Sequence, residues 1–152
     1  MKDRKQQRLD LLCRLREMSV EQARADHVAA RTELDERAAR CTETENQLAA
    51  VDMWRSGQLA AGAPLLPELL RQAQLYRGAQ QQTLEQQRAD EVKSQQRTEA
   101  ARAELGTRFE ELSVVERLTE RHVTTHATEQ LRRAYVDLDE AGMQRKNLEA
   151  KE

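Results

Sequence analysis

From Leu9 to Val51 the chain contains neither Pro nor Gly, and its apolar and small residues recur at alternating intervals of three and four. The series runs Leu9, Cys13, Val20, Ala23, His27, Ala30, Leu34, Arg37, Cys41, Thr44, Leu48, Val51, interrupted in polarity at His27, Arg37 and Thr44. Such a period places one narrow stripe along an α-helix for about six heptads, and a stripe this narrow needs a second helix to cover it. Composition closes off the alternatives: Ala, Glu, Lys, Leu and Arg make up 84 of the 152 residues, with no Ile, eight Val and one Phe. That is too little bulky material for a layered core, so an α/β domain or a β-sandwich is excluded. The predicted fold class is all-α.

Both prolines, Pro64 and Pro67, and two of the five glycines, Gly57 and Gly62, fall within eleven residues. Pro is tolerated in a first helical turn but not in a helix interior, and it disfavours helical geometry in the residue before it. The break therefore predicts helix one over about 4–56, a turn over about 57–64 and helix two over about 65–150, a single antiparallel hairpin with the second helix longer. Gly78, Gly106 and Gly142 stand alone in helical pattern; each weakens a helix by about 1 kcal/mol relative to Ala without ending it.

The clearest stripe in helix two passes through Leu105, Phe109, Leu112, Glu116, Thr119, Val123, Ala127, Leu131, Ala134, Leu138, Ala141, Arg145 and Leu148. Its three successive steps of four after Thr119 predict a stutter that locally unwinds the supercoil. Residues 72–96 hold nine Gln and few apolar residues, and are expected to be the weakest helical stretch. Helices of about 52 and 85 residues would be roughly 78 and 128 Å long, and neither is stable without a partner. With Ser56 set opposite Leu65, Arg4 meets Arg117, and helix two overhangs from Leu118 to Ala150 with its apolar seam uncovered. That overhang is a candidate surface for another protein.

Candidate chemistry is sparse. The 25 basic and 27 acidic residues leave a net charge of −2, which gives no general attraction to nucleic acid or to an anionic membrane. No apolar run approaches the roughly 18–20 residues of a membrane span, and the opening residues lead into no signal-peptide core, so a cytoplasmic protein without membrane insertion is expected. His122 and His126 are four apart, close enough to share a metal with Glu129 on the same face, but they read as polar residues flanking a seam. His27 reads as a polar layer that sets register. Cys13 and Cys41 lie about 42 Å apart along one helix, too far to bridge, and read as small seam residues. Trp54 either caps the end of the hairpin or anchors a partner. With no Gly-rich phosphate loop and no scaffolded Ser/His/Asp set, the chain reads as a non-enzyme without cofactor or metal.

Several stretches resemble the FliJ/YscO family, the central stalk proteins of flagellar and virulence type III export ATPases. Residues 9–17 (LDLLCRLRE) with 21–24 (EQAR) look like the family's amino-terminal helix, and Leu75, Tyr76 and Arg77 leading into Gln80–82 and Gln86–87 resemble its start of helix two. Phe109 followed by residues 116–121 (ERLTER) resembles its aromatic and Glu-Lys-Leu-x-x-Arg stretch; Glu129 and Gln130 with residues 137–140 (DLDE) resemble its acidic carboxy-terminal signature. Trp54 and Arg55 ahead of the turn are similar to the virulence, YscO-like branch, which this reading favours, although Phe109 stands where flagellar members often carry Trp.

The resemblance implies a stalk similar in role to the γ subunit of rotary ATPases, in the pore of a hexameric export ATPase at the base of a secretion apparatus. It would touch the cytoplasmic ring of the export gate, bind secretion chaperones as well, and be monomeric when free. The partner-binding residues expected on this reading are Leu9, Leu12, Arg16, Trp54, Arg55, Phe109, Arg117, Arg121, Leu131, Arg133 and Leu138. The alternative from another class is a coiled-coil scaffold or chaperone that self-associates or holds client proteins.

Overall fold

The structure, a computed structural model, describes residues 4–62, 64 and 66–149, with side chains described as far as residue 146. Two helices make up the fold, α1 (Arg4–Ala60) and α2 (Pro67–Glu149), packed against each other as an all-α hairpin. Leu65 and Ala150, expected at the two ends of helix two, lie outside the described residues, as does the side chain of Leu148.

Both helices are rich in unbranched helix formers, and their outer faces are supported locally. Thr32, Thr42 and Thr83 donate their hydroxyls to carbonyls one turn back, and Gln22 donates to Asp26 and Gln47 to Glu43 across one turn. Gly78, Gly106 and Gly142 pass through α2 without breaking it. The first helix runs four residues beyond the expected 56, through Gly57 to Ala60. It stops at Gly62, whose φ of +64° is the left-handed conformation that Gly takes without a Cβ clash. Pro67 opens α2, where its missing N–H is not needed, and the N–H groups of Leu69 and Leu70 donate to the Leu66 carbonyl at 3.0 and 3.3 Å.

This later turn corrects the expected register. Ser56 opposite Leu65 would set Cys13 against Arg108, whereas the Cys13 thiol lies 3.5 Å from the Thr119 hydroxyl. The shift arises on both sides of the turn: α1 runs on to Ala60, and Pro67 holds Leu66 out of helical geometry, so α2 starts at Pro67 and not near 65.

The chain divides into two compact units to which both helices contribute. Unit 1 takes in the chain up to Glu21 and from Thr107 onward; unit 2 is Gln22–Gly106. In unit 2 the expected stripe of helix one is the one that faces α2: Ala23, Cys41 and Thr44 are buried, and His27, Ala30, Leu34, Arg37, Leu48 and Val51 half-buried. Across from them Leu84 is 7% and Ser94 2% exposed.

The Gln-rich stretch of 72–96 is helical throughout and does its pairing with polar groups. The Thr44 hydroxyl donates to the Arg40 carbonyl at 3.1 Å and lies 2.8 Å from the Gln87 amide. The Thr98 hydroxyl sits between the carbonyls of Ser94, at 2.9 Å, and Ala30, at 3.2 Å. Ion pairs Arg77–Asp52 (2.9 Å) and Arg88–Glu45 (2.7 Å) line the edges; screened by water, they contribute little energy but select the register.

In unit 1 Val20 and Val115 are buried, and Arg16 reaches Glu111 at 2.5 Å with Arg108 3.3 Å from the same carboxylate oxygen. The inward residues of α2 here are Arg108, Leu112, Val115, Thr119, His122 and His126, spaced by alternating threes and fours. Phe109 and Val123, expected on the stripe, are 43% and 44% exposed, and Glu116 is exposed too. The seam thus keeps Leu105, Leu112 and Thr119 of the expected line and replaces Phe109, Glu116 and Val123 by their preceding neighbours Arg108, Val115 and His122, so that the covered residues after Thr119 step by three and then four. A seam through 116 would have buried a carboxylate, whereas one through 115 buries Val115 and leaves Glu116 in water.

From Ala127 to Lys146 every side chain of α2 is exposed. The uncovered stretch thus begins after His126 and not at Leu118. Its apolar stripe is also not the continuation of the seam. Stepped onward from His126, the seam meets Glu129, Arg133, Val136, Glu140 and Met143, whereas Ala127, Leu131, Ala134, Leu138 and Ala141 step back by sevens to Glu120 and Arg117, on the outward face. No helix among the described residues is long and apolar enough to cross a membrane.

Candidate interaction surfaces

The expected partner-binding residues fall into separate places and not into one site. In unit 1, Leu9, Leu118, Arg121, His122, Thr125 and Lys5 border a groove of about 360 Å³ between the two helices. A second hollow of about 180 Å³, lined by Val114, Arg117, Leu118 and Arg121, shares two of those residues and so extends the same flank. Leu12, seven residues after Lys5, stands on that flank and is partly exposed. Of the expected residues, then, Leu9, Leu12, Arg117 and Arg121 come together here. Arg16 lies on the seam itself, engaged with Glu111, and Phe109 is on the other flank of unit 1.

Lys5 and Leu118 were missed in the sequence because the misplaced turn put the end of pairing at Arg117. His122 and His126 also change role: both are half-buried on the seam, with ring centroids 6.2 Å apart. Glu129, one turn further, is exposed. Among the described residues, no three His, Cys, Asp or Glu side chains gather as metal ligands.

In unit 2, beside the turn, Trp54 lines an apolar hollow of about 410 Å³ together with Val51, Leu69, Ala73 and Tyr76. Trp54 stays 37% exposed on the wall of this hollow, and Arg55 is half-buried next to it. Tyr76 and Leu69 could have been named from the sequence only with the register known. The third place is the uncovered part of α2, where Leu131 and Leu138 are 60% and 67% exposed and Arg133 borders a hollow with Glu129, Arg132, Val136 and Asp137.

The shifted titrations are those of packing and ion pairing. A hydrogen bond from Arg37 holds the Glu33 carboxyl below its ordinary range and raises the Arg37 guanidinium in turn, and Glu45 does the same for Arg88. Burial, with a hydrogen bond donated by the thiol to the Glu91 carboxylate, pushes the Cys41 thiol up, which makes it a poor nucleophile.

No family model, curated protein or solved structure matches the chain.

Proposed function

We propose that this protein is the central stalk of a type III export ATPase, of the YscO-like branch, working at the base of a secretion apparatus in the cytoplasm. One observation carries the reading beyond the sequence resemblance: α2 continues past the last residue that α1 covers, leaving a helix with exposed Leu131 and Leu138 and closely mixed charge. A helix held at its base by a partner helix and free beyond it suits insertion into the pore of a hexameric ring. Its exposed charges would make weak contacts, each easily exchanged between successive ring subunits. The turn end, with Trp54 and Arg55, would be left for the export gate ring, and secretion chaperones would use the sides of the hairpin.

The test is truncation after His126. The shortened chain should keep its paired helices and melting temperature but lose binding to the cognate ATPase and the stimulation of its assembly or turnover. Retained affinity would sink the assignment.

A second reading has one observation in its favour. The outward stripe of Ala127, Leu131, Ala134, Leu138 and Ala141 would serve self-association of a scaffold equally well. Molecular mass in solution separates them: a monomer supports the stalk, a stable dimer abolished by Leu131→Asp supports the scaffold.

A further inference from the structure

We propose that the basic flank of unit 1 docks an acidic amphipathic helix of a partner protein, whichever of the two functions above holds. The floor of the groove is apolar, made by Leu9 and Leu118 with Leu12 and Val114 beside them. Both rims are cationic, Lys5 from α1 and Arg121 from α2, with Arg8 one turn beyond Lys5 and Arg117 one turn before Arg121 in the adjoining hollow on α2. Of the carboxylates on this flank, Glu111 is occupied by Arg16 and Arg108, and Glu129 lies one turn beyond Thr125, beside Arg132 and Arg133. Heptad spacing puts Asp10, Glu17, Glu116 and Glu120 on the opposite flank, with Arg14 among them, so unit 1 has two sides of opposite sign.

A floor of Leu and Val between two positive rims is complementary to one geometry above others: a helix whose apolar stripe is bordered by carboxylates on both sides. The stretch from Lys5 to Leu12 covers roughly two turns, about 12 Å, enough to seat a short helix. A second copy of the chain could offer its acidic flank instead, but that contact is heterologous and would build a ring or an open filament, not a simple dimer.

The test uses the full-length protein and two synthetic peptides of about four helical turns, each with Leu on one stripe, one flanked by Glu and the other by Lys. The Glu peptide should bind at least about tenfold more tightly than the Lys peptide at low salt and weaken as salt rises. Lys5→Glu with Arg121→Glu, both exposed positions, should reverse that preference while helicity by circular dichroism stays unchanged, and Leu118→Asp should abolish both. Cross-links from the Glu peptide should fall in 5–12 and 114–125. Absent or equal binding of the two peptides overturns the proposal, as does affinity indifferent to the charge reversals. Retention on phosphatidylserine vesicles that the same reversals abolish would assign the flank to a membrane, and self-association that they abolish would assign it to a second copy; either result overturns the helix.

Discussion

Two stretches of α2 differ in composition and differ the opposite way in burial. Leu84 and Ser94 are almost wholly withdrawn from water and the other residues facing α1 around them are half-buried, whereas from Ala127 to Lys146 all are exposed. The exposed stretch is if anything the more apolar in appearance, with Leu131, Tyr135, Leu138 and Met143, and the buried one is crowded with Gln. Apolar content along a helix therefore does not say where the core is. The core is where a second helix stands opposite, and there polar residues are accommodated by pairing with each other.

The largest effect that sharpens this contrast is Leu84→Asp against Leu131→Asp. The first places an unpaired charge in the seam and should cost about 3–5 kcal/mol, melting the hairpin early; the second should shift stability by about 0.5 kcal/mol or less. Equal melting temperatures in thermal circular dichroism would break the comparison.

Next comes Ser94, which is buried and whose hydroxyl has no hydrogen-bond partner among the described residues. Ser94→Leu should destabilise by about 1–3 kcal/mol through overpacking. Ser94→Ala should instead stabilise, by up to about 1 kcal/mol, because it removes a buried polar atom. A loss of stability on Ser94→Ala, read from denaturant midpoints, would mean that the hydroxyl is satisfied.

The cysteines give a kinetic version of the same comparison. Cys41 is buried, with its thiol pushed up, and Cys13 is half-buried on the seam of unit 1. Cys13 should be alkylated at least about tenfold faster in the folded protein, and the difference should vanish in denaturant. Because the folded-state pKa of Cys41 is raised, its contribution is intact below the ordinary thiol pKa and is lost as pH rises beyond it.

The smallest effect concerns Glu33. Its carboxyl is held low by Arg37, so the pair's contribution is present above the ordinary carboxylate range and fades as pH falls through the lowered value. Glu33→Gln should remove that sloping part of the acid titration and leave the neutral-pH melting temperature almost unchanged.

By itself the sequence determined that the chain is a pair of long helices joined near the prolines, and which face of α1 is covered. Those properties rest on local period and on Pro and Gly stereochemistry, which act within a turn or two of the chain. It also contained the candidate residues of the basic flank, Leu9, Leu12, Arg117 and Arg121, but not their meeting with Lys5 and Leu118. Register, the seam of α2 in unit 1 and the point where pairing ends were decided only by the tertiary structure. Phe109 and Val123 look like core in a helix read alone, and Val115 prevails because choosing it spares Glu116 from burial. A period of three and four can be traced along more than one line of a helix; the facing helix, through contacts such as Cys13 with Thr119 and Arg16 with Glu111, selects the line that is covered.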